Sequence, residues 1–202
     1  MIPNLLLEEL GVPFERVRPD RADAAHKAPA YLRLSANKVL PTLTAGDLAR
    51  YKTVAICLHL CDAHPKMKLA PAMGSIERGH FYKRLVWLNN SLQDTLLVYF
   101  HPERWHNDDT TDAEVKALAR DKVGELLDQL DTELARHGGP WFMGRNFSAL
   151  DPYVFTLCRW TRGLSSRPAR ARPHLGPYLQ RMAARPATQQ AMRKEYLIPP
   201  RT

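Results

Sequence analysis

Regularly spaced apolar residues dominate the chain from about residue 75 onward and constrain its fold more than any other feature. They recur every three or four positions over several turns, which is the spacing of one face of an amphipathic helix. The first series consists of Phe81, Leu85, Leu88, Leu92 and Leu96. A second series spans residues 118–134 and is followed by two glycines, a signal that ends a helix. The pattern predicts two long helices.

Capping residues predict where the helices begin. Ser75 can cap the first long helix, because a serine side chain accepts a hydrogen bond from a free N–H of the first turn. Ser148, with Asp151 three residues later, predicts the start of a further helix. A last helix is predicted from about Gly176. The second half of the chain is therefore expected to be entirely helical.

The first 70 residues contain shorter elements. A helix is expected to end at Gly11, and a strand is expected over residues 14–17. Residues 39–43 predict a second strand, which contains Pro41, and residues 53–63 predict a helix. The predicted fold class is α+β, with a mixed domain over residues 1–70 and an all-helical domain over residues 73–202.

Positive charge is concentrated at the C-terminus. Of the 29 Lys and Arg residues in this 202-residue chain, ten lie in residues 159–202, against one acidic residue, and the net charge of the whole chain is +8. Clustered arginines attract phosphate, so a nucleic-acid partner is one interpretation and a solvated surface is the other. The arginine run has only Trp160 interleaved and no recognisable binding motif. We therefore expect no nucleic-acid partner.

Neither a membrane nor a disulfide-rich scaffold fits the sequence. Charged residues interrupt every apolar stretch before it reaches the roughly 18 residues of a membrane helix, and the first ten residues do not resemble a secretory signal. Three cysteines without framework spacing favour packing thiols in a reducing compartment. We expect a soluble, cytoplasmic protein.

One group of candidate metal ligands fails on geometry. Cys57, Cys61 and His64 share a face of the predicted helix, whereas His59 points away. Cys57 and His64 are also separated by about 10.5 Å of helix rise, too far for one zinc ion bound at about 2.0 to 2.3 Å. We expect a buried thiol face and no metal.

Six segments of the chain resemble the glutathione S-transferase family in order and spacing. They are residues 7–15 (LEELGVPFE), 31–43, 51–56, 69–71 with 77–78, 147–151 (FSALD) and 173–186. The resemblance implies a thioredoxin-like N-terminal domain followed by an all-α domain. It also implies a homodimer, with glutathione as co-substrate in the cleft between the two domains.

The resemblance also implies a set of glutathione-binding residues. Leu40 and Pro41 occupy the position of the family's cis-proline dipeptide, whose backbone pairs with an extended ligand as a strand would. Thr53 opens the next helix, where its hydroxyl and the free N–H groups can hold the γ-glutamyl carboxylate, and a plain N-cap is the alternative role. The family usually has an acidic residue before Thr53, facing the ammonium of glutathione. Lys52 stands here instead, and it either opposes that ammonium, turns to a ligand carboxylate or is solvated.

The family's first strand and its catalytic Ser, Cys or Tyr would precede Met1. That residue donates a hydrogen bond to the glutathione sulfur and favours its thiolate. No residue of the sequence matches it, so the catalytic residue is unknown. We expect either that the chain belongs to a longer gene product or that it is a truncated relative without activity.

The electrophile pocket is expected along the first long helix and its exit. Candidate residues are Tyr82, Asn90, Gln93, Trp105 and Trp160, among which some aromatic rings belong to the core. The predicted function is conjugation of glutathione to small hydrophobic electrophiles, as in detoxification. Two alternatives stay open: a glutathione-dependent disulfide reductase, and a non-catalytic binding module of the same fold.

Overall fold

The structure, a computed structural model, describes residues 1–17, 29–35, 40–106 and 111–195. Its N-terminal part combines short helices with a β-hairpin. The elements are helix α1 (Ile2–Leu10), the single turn α2 (Pro29–Leu32), strands β1 (Thr42–Ala45) and β2 (Leu48–Tyr51), and helix α3 (Thr53–Ala63). The helix predicted over residues 53–63 is confirmed with both boundaries.

The remainder of the described chain is helical apart from connecting segments and two isolated β-bridges, Trp141–Gly144 and Met143–Asn146. It contains α4 (Ile76–Trp87), α5 (Asp94–Phe100), α6 (Asp112–His137), α7 (Leu150–Trp160), α8 (Leu175–Ala184) and α9 (Pro186–Lys194), with 3₁₀ turns at Pro65–Met67, Pro102–Arg104, Thr161–Gly163 and Ala169–Ala171. Together with the N-terminal part, this is the predicted α+β architecture.

Helices α4 and α5 form one rod joined by a π turn over Leu88–Gln93. Ser75 caps the rod as predicted, because its Oγ accepts a hydrogen bond from the Arg78 N–H at 3.1 Å. The π turn locally widens the helix, and such turns often occur at functional sites. It is placed where the sequence carries two asparagines and a glutamine.

Helix α1 holds the N-terminal part against the helical part. Leu5 and Leu6 are fully buried, and α1 packs against α3, α7 and α9. Glu9 accepts two hydrogen bonds of 2.7 Å from the Arg185 guanidinium. Glu8 pairs with Lys194 of α9 at 2.6 Å. These partly buried ion pairs fix the two parts relative to each other.

The helix ends follow the predicted signals. Gly11 and Gly138 follow α1 and α6, and both adopt left-handed backbone angles, with φ of 64° and 57°. A residue with a Cβ would be strained there. The helix predicted from about Gly176 through Met182 is confirmed as α8, but it is not the final helix. The extended backbone of Arg185, with ψ of 134°, ends α8, and Pro186 starts the further helix α9, which was not predicted.

The strand predicted over residues 14–17 is wrong. These residues have no regular secondary structure, and within the described residues β1 pairs with β2 alone. A strand exists only with a partner for its backbone groups, which local sequence cannot specify. The strand predicted over residues 39–43 begins later, at Thr42, and Val39 lies outside the described residues.

No helix within the part of the chain that the structure describes is long and apolar enough to cross a membrane.

Candidate functional site

The β-hairpin brings two of the predicted pairs of residues to one end. Strands β1 and β2 are antiparallel, and their ladder ends with Thr42 opposite Tyr51. Leu40 and Pro41 directly precede Thr42, and Lys52 and Thr53 directly follow Tyr51. All four residues predicted to bind glutathione therefore lie at the same end of the ladder.

The peptide bond between Leu40 and Pro41 is cis, as the resemblance implies. Leu40 is partly exposed and Pro41 is half-buried. Lys52 is exposed and adopts a positive φ of 70°, which is uncommon for a residue with a side chain. The chain thus turns sharply at Lys52 before α3 begins.

The N-terminus of α3 is an electropositive position. The side chain of its N-cap residue, Lys52, makes no capping hydrogen bond to the described residues, and the first turn contains no acidic residue. The first N–H groups of a helix lack intrahelical partners, and the helix dipole adds positive potential at that end. Thr53 is half-buried at the first helical position, beside the ammonium-bearing Lys52. This end of α3 can therefore accept a carboxylate.

The cysteine-rich face of α3 lies in the core, as expected. Cys57 and Cys61 are buried, and burial raises the pKa of the Cys61 thiol to about 12 and that of Cys57 further. The third cysteine, Cys158, is also buried, and its pKa is raised to about 12. The three thiols are therefore protonated at neutral pH. Among the described residues, no group of His, Cys, Asp and Glu could hold a metal ion.

Two of the predicted electrophile-pocket residues, Gln93 at the end of the π turn and Trp160 at the end of α7, make contacts between the α4–α5 rod and α7. Gln93 accepts a 2.8 Å hydrogen bond from the Tyr153 hydroxyl. Trp160 meets Phe100 edge to face, with ring centroids 6.3 Å apart. Asn90 belongs to the same π turn as Gln93 and is exposed. The amide side chains thus lie at one end of this contact region, and the aromatic rings lie at the other end.

The structure does not bring Tyr82 or Trp105 into that cluster. Tyr82 lies in α4, where its hydroxyl contacts the Met73 sulfur at 3.8 Å and its ring lies against Arg78. Eighteen residues of helix, about 27 Å, separate Tyr82 from Phe100. Trp105 follows the 3₁₀ turn after α5 and is 63% exposed.

Tyr153 and Asn89 belong to this cluster, although sequence reasoning did not select them. Tyr153 lies in α7, within the apolar series that begins after Ser148, so its ring was indistinguishable from an ordinary core residue. The available signal was its hydroxyl, because a buried tyrosine needs a hydrogen-bond partner. Its partners, Gln93 and Asn89, lie four residues apart on the π turn.

A separate cavity of about 200 Å³ lies between α4, α6 and α7. Its lining includes Trp87, Phe142, Val154 and the Arg84–Glu133 ion pair. None of the residues predicted to bind glutathione or an electrophile lines it.

The C-terminal arginines are largely engaged within the fold. Arg172 is almost fully buried and bonds to Asp128 Oδ1 at 2.9 Å and to the Gly124 carbonyl at 2.7 Å. Arg162 donates to the Arg159 carbonyl, and Arg170 to that of Arg162. Much of the basic run thus ties backbone segments together.

Comparison with known proteins identifies the family of the chain. Residues 1–62 match the family model described as glutathione S-transferase, N-terminal domain, and residues 88–186 match the model of the C-terminal domain. Glutathione S-transferase GstA of Escherichia coli O157:H7 is 27% identical over 199 residues, which cover 96% of this chain and 92% of the relative. Glutathione S-transferase 3 of Zea mays is 28% identical and covers 96% of this chain and 89% of its own length.

Solved structures agree with these matches. A sphingomonad glutathione S-transferase complexed with glutathione is 32% identical, with a TM-score of 0.83 over 98% of this chain and 94% of that one. A glutathione transferase homologue from Sulfitobacter with bound glutathione has a TM-score of 0.87 over 97% and 93% of the two chains, at 24% identity, and supports the fold. The fold is thus a thioredoxin-like domain followed by an all-helical domain, and the chain belongs to the glutathione S-transferase family.

Proposed function

We propose that the chain binds glutathione at the end of the β-hairpin and conjugates it to small hydrophobic electrophiles. The observation that carries the proposal is the end of the hairpin ladder at Thr42 and Tyr51, which puts Leu40 and Pro41 at the same end as Lys52 and Thr53. The cis-proline backbone and the electropositive N-terminus of α3 therefore both lie at this end of the hairpin. This arrangement fits a short peptide that carries a free carboxylate.

Each of these residues has a proposed role in holding glutathione. The backbone of Leu40, beyond the last paired residue of β1, would pair with the peptide part of glutathione as an added strand. The Thr53 hydroxyl and the first N–H groups of α3 would hold the γ-glutamyl carboxylate. Lys52 would lie beside the γ-glutamyl ammonium, where it weakens binding.

Conjugation requires the glutathione sulfur to be held beside an electrophile. When two reactants are held in one site in a good orientation, the activation free energy of their reaction falls by about 7 to 11 kcal/mol. The α5–α7 cluster with Gln93, Phe100 and Trp160 supplies a partly exposed surface for the electrophile. None of the three cysteines supplies the thiolate that a disulfide reductase needs, because all three are buried thiols with raised pKa values.

The relatives support the same assignment at the level of the family. The sphingomonad structure contains glutathione by its description and is similar over nearly the whole of both chains. GstA and the maize enzyme are glutathione S-transferases by name.

Isothermal titration calorimetry with glutathione, followed by a conjugation assay, tests the proposal. We expect the wild-type chain to bind glutathione and Thr53→Val to bind it about tenfold more weakly, because a hydrogen bond to a charged group contributes about 1.5 to 3 kcal/mol. Thr132→Val is the matched control on the exposed face of α6, where the hydroxyl bonds only within the helix. Equal weakening by both variants would contradict the assignment of Thr53. Binding without turnover would favour the non-catalytic module.

The same proposal includes a cytoplasmic homodimer that acts in detoxification, organised as domains 1–70 and 73–202. Exposed apolar residues at and before the start of α4 support a partner surface, since Met73 and Ile76 are 74% and 78% exposed. Light scattering of the purified chain tests the dimer. A monomeric mass at micromolar concentration would contradict it.

A further inference from the structure

Arg159, in the last turn of α7, is a buried charge without an acceptor. The residue is 8% exposed, and its Nη1 is buried and donates no hydrogen bond in the part of the chain that the structure describes. Arginine stays protonated in proteins, so a full positive charge is held there. Buried charges are normally paired, because removing an ion from water is costly unless a partner replaces the water.

The other two buried arginines of the described residues follow that rule. Arg78 pairs with Asp62 at 2.7 Å, and Arg172 pairs with Asp128 at 2.9 Å. No carboxylate among the described residues is paired with Arg159 in this way. The missing partner is therefore particular to Arg159 and is not a general property of the arginines in this fold.

The carbonyl groups at the end of α7 do not supply the partner. The Thr161 hydroxyl donates to the Cys158 carbonyl at 2.7 Å, and Arg162 Nη1 donates to the Arg159 carbonyl at 3.1 Å. Both carbonyls thus already have side-chain donors. The helix dipole favours a cation at this end, but its effect on one charge is small beside the cost of burial.

Glu195 is the carboxylate that acts on Arg159 electrostatically, and it is engaged elsewhere. Its Oε1 accepts a 2.6 Å hydrogen bond from Asn4 Nδ2. Burial lowers the pKa of Arg159, and the like charge of Arg162 lowers it further, whereas Glu195 acts in the opposite direction. The two unfavourable effects outweigh the single carboxylate, so the surroundings of Arg159 are short of negative charge.

Two exposed arginines add positive charge at the same place. Arg162 lies in the 3₁₀ turn that follows α7, three residues after Arg159. Arg170 reaches this turn from the next one, because its Nη1 donates to the Arg162 carbonyl at 3.5 Å. Neither residue forms an ion pair with an acidic side chain of the described chain. We call these three residues the α7-end arginine cluster.

We infer that the α7-end arginine cluster binds the phosphate group of a small molecule, at a site separate from the residues proposed to hold glutathione. A phosphate dianion would supply the acceptor that Arg159 lacks, and its oxygens match the planar fork of N–H donors on a guanidinium. Arg159 would lie beneath the anion, with Arg162 and Arg170 on the solvent side. A free phosphate ion and the phosphate of a small ester share this chemistry.

The burial of Arg159 favours a compact anion over nucleic acid. The phosphates of a duplex lie on a broad surface and are met by exposed lysines and arginines. A buried guanidinium is reached only by an ion small enough to enter between neighbouring side chains. A phosphate group also carries more negative charge than a carboxylate, which suits a cluster of three cations.

Calorimetric titration at constant ionic strength tests the site with two probes, inorganic phosphate and glycerol 3-phosphate. We expect saturable binding by the wild type and about tenfold weaker binding by Arg162→Gln, because a hydrogen bond between charged groups is lost. Arg136→Gln, which removes an exposed arginine from the last turn of α6, is the matched control and should bind as the wild type does. Equal affinity for both probes supports a site for free phosphate, and tighter binding of glycerol 3-phosphate supports an ester.

Urea denaturation tests the role of Arg159 itself. Phosphate should raise the urea midpoint of the wild type, since a ligand of the folded state stabilises it, and should not raise that of Arg159→Met. Without phosphate, Arg159→Met should be at least as stable as the wild type, because an unpaired buried charge has been removed. An equal loss of stability in Arg159→Met with and without phosphate would show a structural role and overturn the inference. So would a wild type that binds duplex DNA but shows no saturable binding of either probe.

Discussion

The backbone N–H of Ser148 donates a 2.8 Å hydrogen bond to Oδ2 of Asp151, and both residues are buried. The Ser148 hydroxyl in turn accepts from the Leu150 N–H at 3.3 Å. These reciprocal bonds satisfy backbone donors at the start of α7 that would otherwise be buried without partners.

Ser148→Ala removes the hydroxyl of this cap. We expect the free energy of unfolding to fall by about 1 kcal/mol, the usual cost of losing a serine cap. Urea denaturation measures the change. Ser165→Ala, at an exposed position, is the control and should change stability by less than about 0.5 kcal/mol. Equal losses in both variants would contradict the role of the cap.

Asp151 predicts a pH dependence with a defined sign. Burial raises its pKa from 3.8 to about 6, although the Phe142 and Ser148 N–H groups and the Tyr178 hydroxyl donate to it and act in the opposite direction. The folded state therefore binds this proton more tightly than the unfolded state. Its contribution to stability is complete below about pH 4 and is lost as the pH rises through about 6.

Asp151→Asn removes that titration while keeping the size of the side chain. The variant also loses an acceptor, a cost that does not change with pH. We expect the stability of the wild type relative to Asp151→Asn to decrease between pH 4 and pH 6, by about 1.4 kcal/mol for each unit of pKa difference. Urea denaturation series at several pH values measure it. If the stability of the wild type relative to Asp151→Asn instead increased from pH 4 to pH 6, folding would lower the pKa of Asp151 and the prediction would be wrong.

Most helices could be predicted because their signals are local. The caps at Ser75 and Ser148 and the left-handed Gly11 depend on residues within one or two turns. The strand over residues 14–17 could not be judged this way, because a strand depends on a distant partner. The break at Arg185 could not be judged from local sequence either. A proline that follows an apolar series can mark the end of one helix or the first turn of the next.

The candidate site was predictable only in part. The resemblance in sequence suggested Leu40, Pro41, Lys52 and Thr53, and the hairpin register brings them to one end. The helical periodicity places Tyr82 and Gln93 on the same rod. The two residues lie at different positions along the rod, so Tyr82 does not join the cluster around Gln93. The Tyr153 hydroxyl bonds to Gln93, sixty residues earlier in the chain, and this contact exists only after the π turn and α7 have packed.

Lys52 predicts a gain of affinity on charge reversal. An exposed lysine beside the proposed site for the γ-glutamyl ammonium repels it, whereas a carboxylate would attract it. We expect Lys52→Glu to bind glutathione several-fold more tightly at low salt, because exposed pairs contribute about 0.2 to 1 kcal/mol, and the gain should shrink at high salt. Calorimetry measures both.

Lys66→Glu, an exposed position in the 3₁₀ turn after α3, makes the same charge change away from the hairpin end and serves as the control. Weaker binding by Lys52→Glu alone would instead place Lys52 on a ligand carboxylate. That result would reverse the role of Lys52 and keep the location of the site.

Variants of Arg172 and Arg170 distinguish a structural role of the C-terminal arginines from a role in binding nucleic acid. Arg172 is buried and bonds to Asp128 and Gly124, so Arg172→Met is expected to lower the free energy of unfolding by about 2 to 3 kcal/mol. Arg170 is exposed, and Arg170→Met should cost less than about 0.5 kcal/mol in urea denaturation.

Both variants remove one positive charge. A surface that binds nucleic acid would therefore lose affinity for duplex DNA in both, with the exposed Arg170 mattering more. If the arginine run serves the fold instead, the wild type does not bind DNA at 150 mM salt, and the two variants differ only in stability. Salt-sensitive DNA binding that Arg170→Met weakens would contradict a purely structural role of the run.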